Sequence, residues 1–417
     1  MLGEPKLTYL PDETVFSLIG RQHRLWGFSN TGCTARILFG DERCRVRHDF
    51  PRALDTFSTR MDGAAGSVLD AALEHTMLRY YMPFQSEEVG QRALQGMRGL
   101  QGASATICLA LKSSSFGGQH PLKACRTCMR EDLVKYGWTY WQLRHQFPGV
   151  WVCPLHEEPL MVLAGSLRPK EGGAWLLPKL ELLSGDWAAR IGDQEIDCLA
   201  KFASMTICAV ETAHQNSEFC VRKISLILIE KLKKIGWLSE KSGRMKVQDA
   251  ARSWLRYWQP IRCAPDFQVM YREGRREVLP PLVQPRFHPL HLLLAIDWLV
   301  GDLDDVVSAC SHQEAQSMGR RAASDRWGLP LEQAVIWHGE RVLRQPLYNA
   351  GRDRPFALKR KPPPSRLAKK NLIRISKSGG VEPLNPTGRG LKQSKFRPDV
   401  APRGRGEPRA HDPQTRS

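Results

Sequence analysis

Two short pairs of metal-ligand residues, separated by 24 intervening residues, constrain this chain more than any other feature. Cys125 and Cys128 form the first pair, and Cys153 and His156 form the second. A gap of two residues lets both side chains of a pair converge on one ion from a tight turn. Thiolate and imidazole are preferred ligands of Zn²⁺, and four of them leave no open position for water. The spacing predicts one structural Zn²⁺ site with these four ligands.

The stretch between the two pairs supports this prediction without deciding what the site does. Its aromatic residues can form a small core around a metal, which a short segment needs to stay folded; they are Tyr136, Trp138, Tyr140, Trp141 and Phe147. His145 and His120 are alternative ligands, and the simplest alternative is four unrelated buried side chains. Such an array does not distinguish a DNA-contacting finger from a unit that only stabilises the fold.

The cysteine count and the hydropathy limit the class of protein. The chain has 417 residues, enough for two or three domains, and an odd number of cysteines, eleven. With no N-terminal signal pattern, this favours metal-binding thiols in a reducing cytoplasm over a secreted disulfide framework. No apolar run reaches the roughly 18 residues of a membrane span, so no membrane partner is expected.

The charge is concentrated in two regions of different kinds. The net charge of the whole chain is +18, which indicates a polyanionic partner, nucleic acid first. Residues 341–417 carry +15 of it together with 11 of the 28 prolines, and residues 221–262 carry +8. The proline-rich, basic composition of residues 341–417 predicts disorder, which is expected to begin at about residue 355. Such a tail is either a sequence-independent arm on phosphates or a solvated segment with no role of its own.

The second basic region has the pattern of a helix, a turn and a helix, from about 226 to 258. Basic side chains beside the second helix suit contacts with DNA phosphates. The candidate DNA-binding residues are Lys231, Lys233, Lys234, Arg244, Lys246, Arg252 and Arg256. The alternative is a helical hairpin with a solvated lysine face. Trp254, Tyr257 and Trp258 are expected in the core rather than stacked on bases.

Hydrophobic periodicity predicts a mainly α, multi-domain protein. Helices are expected at 51–61, 68–80, 193–213, 225–235, 247–258, 287–300, 302–309 and 322–344. A further helix is expected after Pro11, with Asp12 and Glu13 at its positive end and Arg21 largely off its apolar face. It is interpreted as a core-packing helix rather than a DNA-contacting one. Residues 30–50 are expected to be a connection, 82–118 mixed, and 161–190 turns and short strands.

At the cysteine region the sequence resembles a known family. The run ACRTCMREDLVKYGWTYWQLRHQFPGVWVCPLHEEPL is similar to the zinc-binding signature of the TniQ/TnsD family of transposition target-selection proteins. The earlier LPDETVFSLIGRQHRLWG resembles the opening motif of that family. IEKLKKIGWLSEKSGRMKVQDAARSWLRYW and RFHPLHLLLAIDWLVGDLDDVV are similar to its C-terminal helical segments. The resemblance is specific over about residues 5–165 and looser over 220–310, and the two cysteine-region pairs fall on the zinc ligands of the family.

The resemblance implies a domain order and a role. It implies an N-terminal helical domain (1–118) and a zinc-finger segment (119–165), followed by a C-terminal, helix-turn-helix-like domain (166–345) and the disordered basic tail (346–417). It implies no catalysis: members recognise target DNA, or dock on a targeting complex, and recruit an AAA+ ATPase that activates the transposase. Shorter members serve RNA-guided CRISPR effectors, so the resemblance adds such an effector complex to the candidate partners. The short C-terminal region departs from the longer members that read DNA sequence.

Two other classes of function compete with this one. A nuclease needs clustered carboxylates for its ions, but Asp302, Asp304 and Asp305 follow Gly301 and are interpreted as a helix start. A zinc hydrolase needs an open metal position, whereas four ligands are available. No phosphate-binding glycine loop with a following lysine is present, so the chain is not the ATPase itself. A transcription regulator would use the same DNA-binding parts. Only the family resemblance distinguishes it from a transposition adaptor.

Overall fold

The fold is described from a computed structural model of the chain. It describes residues 5–312 except for Arg45, Gln101, Ser115, Glu218 and the stretches 166–174, 240–245 and 272–287, and it describes two strands between 373 and 383. The chain divides into two compact units, residues 1–351 and 352–417. The subdivision predicted at residues 118, 165 and 345 stays a prediction.

The described part of the first unit is mainly helical, which confirms the predicted fold class. Its α-helices are α1 (Val15–Leu25), α2 (Thr31–Phe39), α3 (Leu54–Arg60), α4 (Val68–Glu74), α5 (Leu78–Tyr81), α6 (Glu87–Arg98), α7 (Ala105–Cys108), α8 (Arg126–Tyr136), α9 (Leu143–Gln146), α10 (Asp193–Gln215), α11 (Val221–Lys234), α12 (Val247–Tyr257), α13 (Pro289–Leu299) and α14 (Leu303–His312). Short 3₁₀ turns lie at Met82–Phe84, Leu111–Ser113, Leu180–Leu182, Asp186–Ala188, Pro260–Cys263 and Phe267–Tyr271. None of the described helices is long and apolar enough to cross a membrane.

A small antiparallel sheet lies beside the two ligand pairs. Its order is β1 (Lys123–Ala124), β2 (Met161–Leu163) and β3 (Leu183–Ser184), with Lys123 opposite Val162 and Leu163 opposite Leu183. The sheet brings the chain just before the first pair next to the chain just after the second. The strands expected within 161–190 are therefore confirmed, and they close the segment that carries the ligands.

The start of α1 differs from the prediction. Thr14 caps the helix, because its side chain accepts a hydrogen bond from the amide of Ser17. Pro11, Asp12 and Glu13 thus precede the helix instead of forming its first turn. Arg21 was expected off the apolar face, but its side chain is only 4% exposed, because it forms an ion pair with the fully buried Glu13. The preference for a core-packing helix agrees with the burial of Val15, Leu18 and Ile19.

Three further segments differ from the pattern. The stretch 30–50 was expected to be a connection, but it contains α2, which Asn30 caps and Gly40 ends in the left-handed conformation. The helix expected over 68–80 is interrupted between α4 and α5, where the His75 carbonyl accepts from the amide of Val15. The mixed stretch 82–118 contains the full helix α6. In each case, capping groups and tertiary contacts override the local periodicity.

The C-terminal helices of the first unit follow the prediction closely. Helices α10 to α14 cover the five segments expected between 193 and 309. Trp254 and Trp258 are buried as expected, whereas Tyr257 is 41% exposed and hydrogen-bonds Asp297 through its hydroxyl. The helix expected over 322–344 lies outside the described residues. So does the basic tail, apart from the antiparallel pair β4 (Ile373–Ile375) and β5 (Val381–Pro383).

Candidate metal centre

The first ligand pair is held at the start of a helix. Cys125 is the N-cap of α8, and its sulfur accepts a hydrogen bond from the backbone amide of Cys128 at 3.5 Å. Cys128 lies in the first turn of the same helix. The two-residue gap therefore places both sulfurs on the same side of the helix start, as its spacing predicted.

The second pair is held by a tight turn. The amide of Cys153 donates to the carbonyl of Glu158 at 2.8 Å, and the amide of Glu157 donates back to the carbonyl of Cys153 at 2.9 Å. Glu157 has a φ of 53°, in the left-handed region. This reversal turns His156 toward Cys153, and their Nδ1 and Sγ atoms are 3.6 Å apart.

All four predicted ligands meet at one point. One ligand atom from each of Cys125, Cys128, Cys153 and His156 lies within 4.8 Å of the other three. The Sγ atoms of Cys128 and Cys153 are 3.7 Å apart, and Nδ1 of His156 lies 3.5 Å from Cys125 Sγ and 3.3 Å from Cys128 Sγ. The three cysteines are buried and His156 is half-buried. The donor set and its separations can hold a metal ion.

The electrostatics of the three thiols also call for a cation. Hydrogen bonds from Cys125 and Cys128 lower the pKa of Cys153, while contacts with Cys125 and Cys153 raise the pKa of Cys128. Three sulfurs in contact thus favour one thiolate, because further negative charges would repel each other. A bound cation removes that limit and allows every sulfur to ionise.

Two glutamates next to the ligands were missed from the sequence. Glu131 on α8 lies 3.3 Å from Nε2 of His156, the ring nitrogen that faces away from the sulfurs. Glu158 accepts from the Thr127 hydroxyl at 2.8 Å and lies 3.6 Å from Cys125 Sγ. Groups in such positions orient metal ligands. The Glu158 position follows the second pair by two residues, but Glu131 carries no signal in the pattern.

The two alternative histidines do not join the cluster. His145 is buried with its Nε2 4.0 Å from Cys128 Sγ, so it borders the site without completing it. His120 lies elsewhere, between the Asp49 carboxylate at 3.1 Å and the Tyr81 hydroxyl at 2.8 Å. Of the predicted aromatic core, Tyr140, Trp141 and Phe147 are buried, while Tyr136 and Trp138 are half-buried.

The described candidate DNA-binding residues lie in a different region, the basic helical pair formed by α11 and α12, where they are exposed or half-buried. Lys231, Lys233 and Lys234 occupy the last turn of α11, where cations also complement the helix dipole. Lys246 precedes α12, and Arg252 and Arg256 are exposed on it. Arg252 forms an ion pair with Asp249 at 2.8 Å, and Arg244 lies outside the described residues. Whether these residues bind DNA stays a prediction.

Comparison with known proteins agrees with the resemblance in the sequence. The family model for the TniQ domain matches residues 5–160, a range that includes all four ligands. The chain is 22% identical over 174 residues to the transposon Tn7 transposition protein TnsD of Escherichia coli, and the match covers 42% of this chain. It covers 34% of that protein, so the chain matches about a third of the length of its curated relative. Residues 5–160 thus match a TniQ domain, and both comparisons support the resemblance of the chain to the TniQ/TnsD family.

Proposed function

We propose that the chain is a non-enzymatic, DNA-binding adaptor that selects the target site for transposon insertion. The observation that carries this proposal is the TniQ domain over residues 5–160, with its four ligands assembled. The similarity to a transposition protein points to the same process. In this role the chain works in the cytoplasm, on the nucleoid, and its partners are DNA and the transposition machinery.

The metal of the site is Zn²⁺, held as a structural ion. In a tetrahedral site with Zn–S of about 2.3 Å and Zn–N of about 2.1 Å, two sulfurs lie about 3.8 Å apart and a sulfur and a nitrogen about 3.6 Å. The Cys128–Cys153 separation of 3.7 Å and the sulfur–nitrogen separations of 3.3–3.6 Å fit those values. Three thiolates and one imidazole are also a ligand set that zinc prefers over magnesium or calcium.

DNA is contacted through the basic helical pair. Its exposed cations, which include Lys234, Arg252 and Arg256, lie on two helices that are consecutive in the chain. Positive side chains in that arrangement suit contacts with phosphates, which position a protein on the duplex without reading its sequence. Sequence selection then comes from a targeting partner or from a few base contacts.

The chain recruits an AAA+ ATPase, which in turn activates the transposase. An RNA-guided CRISPR effector complex is a candidate source of the target site. Both partners follow from the family resemblance and are part of the proposal.

The chemistry of the described side chains supports a role without catalysis. Within the described ranges, one group of at least three Cys, His, Asp or Glu side chains is close enough to hold a metal, and its four ligands would leave no open position on a tetrahedral ion. Both ring nitrogens of the buried His120 have hydrogen-bond partners, the Asp49 carboxylate and the Tyr81 hydroxyl. Asp302 accepts from the amide of Asp304 at the start of α14, as expected for a helix start.

An insertion assay tests the proposal. The chain is expressed with a candidate AAA+ ATPase and transposase, and insertions of a marked transposon are mapped by sequencing. We expect insertions to cluster at one target when the chain is present and to scatter or disappear when it is omitted. An unchanged insertion pattern without the chain contradicts the adaptor role. Repression or activation of a nearby promoter without any effect on insertion would favour a transcription regulator instead.

A further inference from the structure

A short stretch of chain joins the metal centre to the N-terminus of the protein. This connecting segment, residues 140–146, includes α9 and lies between the two ligand pairs in sequence. One side of it faces the first ligand pair, and the other faces the N-terminal turn, residues 11–14, which precedes α1. Both sets of contacts are hydrogen bonds made largely in the protein interior.

On the metal side, the connecting segment holds the chain on both flanks of the first pair. Gln146 accepts from the amide of Lys123 and donates to its carbonyl, each at 2.9 Å, and so fixes the strand that leads into Cys125. Gln142 donates to Asp132 on α8 at 2.8 Å, and so fixes the helix that carries Cys128. The positions of both sulfurs thus depend on where the connecting segment lies.

On the other side, the N-terminal turn holds the connecting segment through its backbone. The amide of Leu143 donates to the carbonyl of Asp12 at 2.6 Å, and the amide of Thr14 donates to the carbonyl of Trp141 at 3.0 Å. The Asp12 carboxylate accepts from both the backbone amide and Nε of Arg144, at 3.0 and 2.8 Å. Asp12 therefore makes three of the contacts that set the position of the connecting segment.

The conformation of the N-terminal turn, taken alone, lowers the stability of the folded state. Asp12 has a φ of 58°, in the left-handed region that non-glycine residues adopt at a cost in stability. Glu13 is fully buried in an ion pair with Arg21, and burial raises its pKa to about 7. A buried ion pair of this kind stabilises a fold weakly at best. Capping α1 requires only Thr14, so helix formation does not explain why the chain turns here.

We propose that Asp12 is a positioning residue of the metal centre, acting through the connecting segment. The N-terminal turn and the bound ion stabilise the same arrangement of residues 140–146, so each favours the other. Such coupling is reciprocal: a turn that holds the site slows release of the metal, and a bound metal protects the turn. The inference rests on the proposed Zn²⁺ site but not on the proposed role in transposition.

The variant Asp12→Asn tests the first half of the coupling. Asparagine tolerates the left-handed conformation, so the turn can persist while the charged contact with Arg144 is lost. We expect zinc release to a chromogenic chelator to be about tenfold faster than from the unaltered protein, as for the loss of other groups that orient ligands. Asp55→Asn is the matched control. Asp55 lies on α3 and pairs with Nε of Arg98 on α6 at 2.9 Å, so it makes an ion pair that does not involve the connecting segment. If Asp12→Asn does not fold, Arg144→Gln removes the same contact from the other side.

Hydrogen exchange tests the reciprocal half. After removal of zinc by the chelator, we expect faster exchange at the amides of Thr14 and Leu143, and unchanged exchange in the middle of α10. Wild-type release rates in both Asp12→Asn and Arg144→Gln, or unchanged exchange at Thr14 and Leu143, overturn the coupling while leaving the zinc site intact. Unaltered protein that carries no zinc by elemental analysis contradicts the zinc site itself, and the coupling with it.

Discussion

The metal centre and the basic helical pair are the two regions of this protein that carry chemical groups in a recognisable pattern, and they use those groups in opposite ways. At the metal centre, four side chains from two turns converge within 4.8 Å, and three of them are buried. On α11 and α12, by contrast, the cations are distributed along the helices as exposed or half-buried side chains. Converging side chains select a ligand by geometry. Dispersed surface charges select a partner only by the sign of its charge. Three of the four predictions below test that difference, and all four are ordered from the largest expected effect to the smallest.

The largest effect is expected at the metal centre. Cys128→Ser removes a ligand from the closed set, so the purified variant should lose the approximately one equivalent of zinc that the unaltered protein carries. Because metal binding to a structural site is coupled to folding, we expect the free energy of unfolding to fall by about 4 kcal/mol or more. Elemental analysis and chemical denaturation measure the two effects. Cys208→Ser, at an exposed thiol on α10, is the control. Normal zinc content in Cys128→Ser would show that the ligand assignment is wrong.

The next effect is expected on DNA binding. Replacing Lys231, Lys233 and Lys234 with glutamine should weaken DNA binding about a hundredfold at low salt and reduce the slope of log affinity against log salt by about 3, since each phosphate contact contributes about one unit. Zinc content should not change. The control removes the same charge from three exposed residues elsewhere, Lys112, Lys179 and Arg190. Equal losses in the two variants would mean that DNA responds to net charge and not to this helical pair.

A third prediction concerns the contact between α5 and the start of α13, within the first unit. Buried His288 accepts from the amide of Leu290 through Nδ1 and contacts the Tyr81 hydroxyl at 2.9 Å through Nε2. Burial holds the pKa of His288 well below its usual value. Below pH 6.5 the unfolded chain therefore binds a proton that the folded chain does not, so stability falls as the pH falls.

His288→Asn keeps a capping side chain but cannot be protonated in this range. We expect it to reduce the difference in unfolding free energy between pH 7 and pH 5 by about 2 kcal/mol, measured by denaturant titration at both pH values. Zinc content is measured in parallel, because loss of metal in acid affects both proteins alike. An unchanged pH dependence would mean that His288 is not the group that titrates.

The smallest effect is expected from the basic tail. Deleting residues 355–417 should leave zinc content unchanged and alter the unfolding free energy of the first unit by less than about 0.5 kcal/mol. A larger loss would show that the first unit depends on the tail. The salt dependence of DNA binding, measured on the same variant, separates the two interpretations of the tail: a flatter slope indicates contacts with phosphates, and an unchanged slope excludes them.

How much of the molecule was predictable from the sequence depended on how local the determinant was. The ligand pairs were predictable, because a two-residue gap fixes the geometry within one turn. The C-terminal helices were predictable too, because most of them bury an apolar stripe of their own and α13 is apolar and buried along nearly its whole length. Local periodicity did not predict where α1 and α2 start or that the helix breaks between α4 and α5. Thr14 and Asn30 set those starts as helix caps, and the His75 carbonyl sets the break through its hydrogen bond with Val15, which is distant in sequence. The groups around the ligands, such as Glu131 and Gln142, have no spacing that marks them.

The contact between Asp12 and Arg144 also has a consequence for the order of events during synthesis. The two residues are 132 positions apart, so the N-terminal turn leaves the ribosome long before the segment that it holds. Closing so long a loop is slow compared with forming a helix or a local turn. We therefore expect the ligand pairs to capture zinc first in a loose arrangement, which tightens only when the N-terminus docks. A fragment that starts at residue 119 contains every ligand but would stay in that early, loosely held state.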